Sequence, residues 1–436
     1  MIDTRVLKGG HYAAEVEAPG VYRARREALQ AHLGENSLAV LLGASDTRGY
    51  GDVGTFRQDP NFFYLTGVEL PNAVLVLEKR QETLFLPERR PTIEAWTGPK
   101  WGPGEETAAA LGFEQVLARE PSEIVVDARR RPVPGFEGRL AAALADSREL
   151  WVRLPAASVR GDLSEEQRLV EALRQRLPSF TVHDLSPLLA AQRLRKQPGE
   201  VALLRKAVAA TAAGMRAAAA AVRPGTREGA VEGAAFAALR AAGAEGWSFP
   251  PIVGSGAAGC VLHYDANRGV LGEGELVVVD IGARWGYYCG DLTRTFPVSG
   301  HFSERQRALY EAVLAAYEAA VAVLRPGSSI AEARRAAFES LQNSGLKGDG
   351  GASLASFFIH GIGHFLGLET HDVGGEDPTL EPGMVLTIEP GVYLPGEGVG
   401  IRIEDDYLIT EDGAQCLSEG LPRSPEEVEA LVRGEG

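Results

Sequence analysis

Two aspartates, Asp280 and Asp291, lie near opposite ends of the segment VVVDIGARWGYYCGDLTRTF. The flanks Leu276–Val279 and Tyr287–Phe296 are rich in β-branched and aromatic residues around a central glycine, which predicts a β-hairpin. With its midpoint between Trp285 and Gly286, the two carboxylates face each other directly across the strands. Carboxylates that close repel unless a proton or a metal lies between them. A second segment, PGMVLTIEPGVYLPGEGVGIRIEDD, repeats the arrangement with Glu389 and Glu404, its midpoint inside the turn-like Pro395–Gly398. A lone acid in a hairpin is ordinarily a solvated surface residue. Here Asp280 follows Leu276–Val279 and Glu389 follows Met384–Ile388, runs apolar on both faces of a strand and so expected to be buried.

Nitrogen ligands are available nearby. His263, His360, His364 and His371, four of the eight histidines, lie in the C-terminal half. His360 and His364 have the i, i+4 spacing of a helical zinc pair, but Gly361 and Gly363 lie between them and no Glu follows the first His. A strand or loop that gives one histidine to a metal and the others to substrate is expected instead. Four carboxylates and one imidazole form a hard, oxygen-rich set, which favours manganese, with cobalt, iron or zinc as alternatives. Their charge balances two divalent ions, which two-metal hydrolases hold about 3.5–4 Å apart to activate a water between them. Arg402, between Ile401 and Ile403, reads as an ion-pair partner or a substrate anchor. Cys289 reads as a packing residue.

The elements that must position these residues are themselves repeated. Gly274 to Gly383 and Asp280 to Glu389 are both separations of 109 residues. Upstream, Arg223-Pro224-Gly225 and Arg325-Pro326-Gly327 each precede an Ala-rich helical stretch. Helix, RPG turn, helix and acid-bearing hairpin therefore occur twice, with a period too long for a solenoid and suited to two halves of one domain. Before this unit the chain has an α/β rhythm, with strands expected over 38–43, 73–77, 83–86 and 124–126 and helices over 22–33 and 163–177. Pro198 suits the first turn of a helix reaching Ala221. A boundary near residue 190 separates a leading domain, 1–190, from the duplicated domain, 191–436.

Composition bounds the function. With 45% hydrophobic and 24% charged residues in 436, the chain reads as a soluble globular protein of two domains. A net charge of −15 disfavours nucleic acid or an anionic membrane as a partner. Three cysteines make no disulfide scaffold, and no apolar run has signal or membrane-spanning length, so a cytoplasmic protein is expected.

The segments DIGARWGYYCGDLTRTFPV, HGIGHFLGLETHD, TIEPGVY and RIEDD resemble the metallo-aminopeptidases of the pita-bread fold, a group including methionine aminopeptidase, prolidase and aminopeptidase P. Thr55–Gly67 and Glu94–Gly98 resemble the leading domain of the aminopeptidase P type. The resemblance implies an α+β protein. Its C-terminal pita-bread domain would have duplicated αβ halves around a curved antiparallel sheet, preceded by a smaller α/β creatinase-type domain that serves oligomerisation and shapes the active site. By position, it implies Asp280, Asp291, His364, Glu389 and Glu404 as metal ligands, with Asp291 and Glu404 bridging. Glu389 would also shuttle the proton. His263, His360 and His371 would lie near the scissile carbonyl, and Arg402 and Tyr393 would contact substrate. The implied activity is that of an Xaa-Pro aminopeptidase, a homodimer or homotetramer acting on peptides with proline second. A dipeptidase of the prolidase type is the alternative, and a non-catalytic peptide-binding module is a third reading.

Overall fold

A computed structural model describes residues 17–45, 56–120, 135–146, 149–154, 161–177, 179–375 and 377–435. The expected strand over 124–126 and the residue Thr55 lie outside them. The chain divides into two compact units, residues 1–192 and 193–436.

The first unit is built on a six-stranded mixed sheet. Its strands are β1 (Ser37–Leu42), β2 (Val74–Glu78), β3 (Glu82–Leu86), β4 (Gln115–Ala118), β5 (Glu149–Val152) and β6 (Thr181–Asp184), in the order β4-β3-β2-β1-β5-β6. The antiparallel β1–β2–β3 meander forms its centre and parallel strands flank it. Helices cover 19–30, where Pro19 opens the first turn, and 165–174, where Ser164 and Gln167 form a capping box.

The second unit carries the acids. Its strands are β7 (Gly246–Trp247), β8 (Ile252–Ser255), β9 (Leu276–Ile281), β10 (Ala283–Trp285), β11 (Tyr288–Cys289), β12 (Leu292–Pro297), β13 (Val385–Ile388), β14 (Gly391–Leu394), β15 (Val399–Arg402), β16 (Asp405–Thr410) and β17 (Gly413–Cys416). Helices Pro198–Ala221 and Glu228–Ala241 precede the first acid hairpin, and Glu304–Val321 and Ile330–Asn343 precede the second. The repeat extends to single hydrogen bonds. Gly225 and Gly327 both take a left-handed φ, and their N–H groups donate to Leu271 O and Leu380 O, positions 109 apart. Leu271 and Leu380 return the bond to Thr226 O and Ser328 O. The two halves meet where Glu404 N donates to Thr293 O at 3.1 Å. One continuous apolar cluster, including Val279, Ile281, Phe296, Leu386 and Ile401, underlies both.

The second hairpin has the expected register. β13–β16 and β14–β15 are in step, and Glu389 and Glu404 sit opposite each other at the break between the two ladders. The first hairpin differs. Asp280 pairs with Thr293, not with Asp291, because the turn centres on Gly286 and Tyr287, both with positive φ, rather than one residue earlier. Two-residue turns with both φ positive match the strand twist. Asp291, two residues before Thr293, is consequently the diagonal neighbour of Asp280 on the same face, still within side-chain reach.

Arg294 locks the seam between the halves. Fully buried, it donates to Thr293 O and Glu404 O from Nη1, to Asp405 Oδ1 from Nη2 (2.8 Å) and to Pro422 O from Nε. Arg294→Met removes the cation and leaves buried acceptors behind, a loss of about 3–5 kcal/mol. Denaturant unfolding checks this; a loss below about 1 kcal/mol contradicts the assigned role.

Candidate active site

The acids lie at or beside strand ends, Asp280 near the end of β9, Asp291 just before β12, Glu389 just after β13 and Glu404 just before β16, and the Thr293–Glu404 bridge joins the antiparallel sheets that carry them. Asp291 and Thr293 are two apart, as are Glu404 and Asp406, so each pair shares a face. His364 arrives on a segment without helical structure, as expected. That segment lies along β13, with His364 O accepting from Thr387 N and Phe365 bridged to Leu386. Gly363 is required there, since a Cβ would stand 2.0 Å from Thr387 O.

Ligand atoms of Asp291, His364 and Glu404 lie within 4.8 Å of one another. His364 Nε2 is 3.5 Å from Asp291 Oδ2 and 3.6 Å from Glu389 Oε1. Its Nδ1 contacts Phe365 O at 3.1 Å. A proton there leaves Nε2 as the lone-pair nitrogen facing the acids, the tautomer a metal ligand needs. Glu404 Oε2 accepts from Thr293 Oγ1 at 2.6 Å, and Glu389 Oε1 from Thr387 Oγ1 at 3.4 Å.

Asp280 is held differently. Its Oδ2 takes an ion pair from Arg402 Nη2 at 2.7 Å, while its Oδ1 is buried with no hydrogen-bond partner among the described residues. Arg402 also donates to Tyr393 Oη at 2.8 Å, and Tyr393 Oη lies 2.9 Å from His360 Nε2. Arg402 is thus an ion-pair partner within the site, bonded to Asp280 and Tyr393 together.

The electrostatics record an excess of negative charge. Burial raises the Asp291 carboxyl well above its ordinary range, and the charges of Asp280, Asp406 and Glu389 push the same way. Burial does the same to Glu404, reinforced by Asp291, Glu389 and Asp280. Glu389 is raised by burial against the opposing pull of His364 and Arg402. Burial and the Arg402 charge push His360 down to about 4, so it is neutral near pH 7. Burial and the His364 and His263 charges lower His371. His371 packs edge-on against His364, with ring centroids 4.2 Å apart, and His263 is exposed.

Asp406 was missed by sequence reasoning. It is buried, its Oδ2 accepts from Asp291 N at 3.1 Å, and its Oδ1 has no hydrogen-bond partner among the described residues. Its i, i+2 spacing from Glu404 was the available signal. Thr293 and Thr387, which bond the acids, gave no comparable one.

This donor set fits divalent metal. It has hard oxygens, one imidazole whose Nδ1 contact with Phe365 O leaves Nε2 facing the acids, two buried carboxylate oxygens without partners among the described residues, and acids raised by burial and by one another's charge.

Comparison with known proteins agrees. The sequence profile of metallopeptidase family M24 matches residues 202–411, and that of the aminopeptidase P N-terminal domain matches residues 22–123. The chain is 36% identical to the Xaa-Pro aminopeptidase of Escherichia coli (strain K12), over 94% of this chain and 97% of that one. The chain belongs to metallopeptidase family M24. A Haemophilus influenzae Xaa-Pro aminopeptidase is 34% identical, over 94% of this chain and 96% of that protein. Among solved structures, aminopeptidase P from E. coli with the inhibitor Pro-Leu superposes with a TM-score of 0.84 at 33% identity, covering 97% of this chain and 99% of that one. Proline aminopeptidase P II from Yersinia pestis gives a TM-score of 0.83 at 33% identity, covering 96% and 100%. As in other M24 metallopeptidases, divalent metal belongs to the chemistry of this chain.

Two outcomes follow. Without metal, Asp291 and Glu404 hold protons in the folded state that the unfolded chain has already lost, so stability falls as pH rises above the ordinary carboxylate range. A bound ion replaces those protons, so manganese raises Tm more at about pH 8 than at about pH 5. Equal shifts at both pH values contradict the account. Gly363→Ala displaces His364 and weakens metal affinity about 10- to 100-fold, measured by competition with a chelator; unchanged affinity removes His364 from the site.

Proposed function

We infer that this chain is a metal-dependent exopeptidase that hydrolyses the N-terminal Xaa-Pro bond of peptides. The observation that carries the reading is the buried Asp291–His364–Glu404 trio beside Glu389, in a chain 36% identical over nearly its whole length to a protein named Xaa-Pro aminopeptidase. Asp280, Asp291, His364, Glu389 and Glu404 would hold two divalent ions, with manganese favoured by the hard donors. When bound, such ions supply Lewis acidity and lower the pKa of water.

The remaining work falls to side chains. Glu389, whose carboxyl is raised by burial, accepts a proton from the attacking water and returns it to the departing proline nitrogen. Any peptide amide nitrogen needs a proton to leave as an amine, and the proline nitrogen, which carries no hydrogen of its own, leaves as a secondary amine. Arg402 already donates to Tyr393 Oη, so the Tyr393 hydroxyl donates its hydrogen bond to His360 Nε2 in the tautomer whose proton sits on Nδ1, 3.8 Å from Glu389 Oε2. As a neutral donor His360 suits the developing oxyanion, with His371 and His263 beside it. Arg402 holds Asp280 and Tyr393 in place, and Tyr393 extends that hold to His360. The substrate's free α-amine meets the acid cluster on the Asp280 side, which makes the enzyme an exopeptidase.

The leading unit would serve assembly, as a homodimer or homotetramer, and shape the site. A cytoplasmic location fits the three free cysteines, and no helix among the described residues is long and apolar enough to cross a membrane.

A dipeptidase of the prolidase type remains the second reading, since the same acids would serve it. Turnover of Ala-Pro-Ala and Ala-Pro with manganese, and with chelator as control, separates the two. The tripeptide is cleaved if the aminopeptidase reading holds; cleavage of the dipeptide alone overturns it. Glu389→Gln lowers kcat about 10²- to 10⁴-fold. Undiminished kcat removes Glu389 from the proton path, and a metal-free purified chain that binds peptides without turnover favours the binding-module reading.

A further inference from the structure

Immediately after the boundary between the units, Arg193 and Lys196 are buried, and both point at one carboxylate. Arg193 Nη2 bonds Asp372 Oδ1 and donates to Glu369 Oε2 at 2.8 Å. Lys196 Nζ donates to Asp372 Oδ2 at 3.0 Å. The side chains of Arg193, Lys196 and Asp372 are 2%, 1% and 1% exposed, so the ions are almost wholly desolvated. A buried ionic cluster of this kind adds little net stability over an apolar one of similar volume, so its clearest physical effect is to fix geometry.

Its location shows which geometry. Asp372 directly follows His371, whose ring packs on the ligand candidate His364. The surrounding backbone is tied at several points. Asp372 N donates to Phe365 O at 2.9 Å, Gly367 N to Glu369 O at 3.1 Å, and Cys289 N to Gly367 O at 2.8 Å. Gly367 permits the approach, since a Cβ there would stand 2.1 Å from Asp372 Oδ2. Lys196 also anchors the strand leading to Glu389, its N–H donating to Gly383 O at 2.7 Å. His371 itself is exposed, and the residue after it is the fixed point.

We propose that Asp372, clamped by Arg193 and Lys196, is a positioning residue that aims His371 at the substrate. This rests on the Xaa-Pro reading for the role of His371. Asp372 touches no reacting atom; it acts through the backbone of the loop. Loss of the clamp lets the imidazole wander, and misplacement by about 1 Å can cost about 10²-fold in rate.

The test compares Asp372→Asn, and separately Lys196→Met, with and without His371→Ala, on an Xaa-Pro tripeptide with metal content measured in each protein. The expected result is a fall in kcat of about 10- to 100-fold with KM and metal content little changed. In the His371→Ala background the same substitutions cost less than about twofold, because the residue they position is gone. Equal losses in both backgrounds, or no loss in the parent chain, overturn the proposal. Should Asp372→Asn fail to fold, replacing Arg193 and Lys196 by Met and Asp372 by Leu together removes the buried ions and leaves only the half-exposed Glu369, which water solvates. Hydrogen exchange reads the clamp with no substrate present. Residues 369–374 lose protection in the variants while β13 keeps it, and unchanged protection overturns the clamp whatever the activity. Absence of Xaa-Pro turnover by the parent chain would instead remove the functional reading and leave the exchange result to judge the clamp.

Discussion

Mutual repulsion among buried carboxylates is the constraint that organises the second unit. Asp280, Asp291 and Glu404, with Asp406 beside Asp291 and Glu389 less buried, gather where the antiparallel sheets of the two halves meet, over a shared apolar cluster. Among the described residues only Asp280 has a permanently cationic side chain bonded to it, and that partner, Arg402, also binds Tyr393. No solvated arrangement requires so many acids together. In low dielectric their charges are costly unless positive charge is added, and a divalent ion adds it in the smallest volume. The duplicated halves each contribute one hairpin, and the seam at Thr293–Glu404, braced by Arg294, sets the distance between them.

Much of this was legible in the sequence, for identifiable reasons. Apolar runs ending in an acid, as in Leu276–Asp280 and Met384–Glu389, mark strands that carry the acid at or just past their ends. The 109-residue echo showed the duplication, and the structure repeats it in the Gly225–Leu271 and Gly327–Leu380 bonds. Gly361 and Gly363 argued against a helix around His364, and the segment is irregular, with Gly363 pressed against Thr387 O. The register of the first hairpin was misplaced, because symmetry about a glycine does not identify which two residues take positive φ. Tyr287 does so here, a conformation that a non-glycine residue rarely declares in sequence. Asp406 was overlooked because Asp405 and Asp406 look alike on the page. Asp405 faces Arg294, Arg423 and Tyr317, whereas Asp406 faces Asp291.

The polar groups behind the acids divide the labour. Thr293 and Thr387 orient carboxylates, Phe365 O fixes the His364 tautomer, and the Arg402–Tyr393–His360 chain keeps a neutral imidazole beside Glu389. The Arg193–Lys196–Asp372 cluster lies further out and fixes a loop rather than a ligand. Function therefore depends on two kinds of buried charge. Among the described residues the acids of the site are compensated only in part, by Arg402 on Asp280, whereas the ions of the clamp are paired with one another.

Proton counting during metal binding tests the central claim most directly. Calorimetric titration of the chelated protein with manganese, repeated near neutral pH in buffers of different ionisation enthalpy, measures protons released per ion bound. If buried acids hold protons in place of metal, binding releases them, and Glu404→Gln or Asp291→Asn lowers both the release and the affinity. Tight binding with no proton release, unchanged in either variant, would place the metal elsewhere and contradict the account.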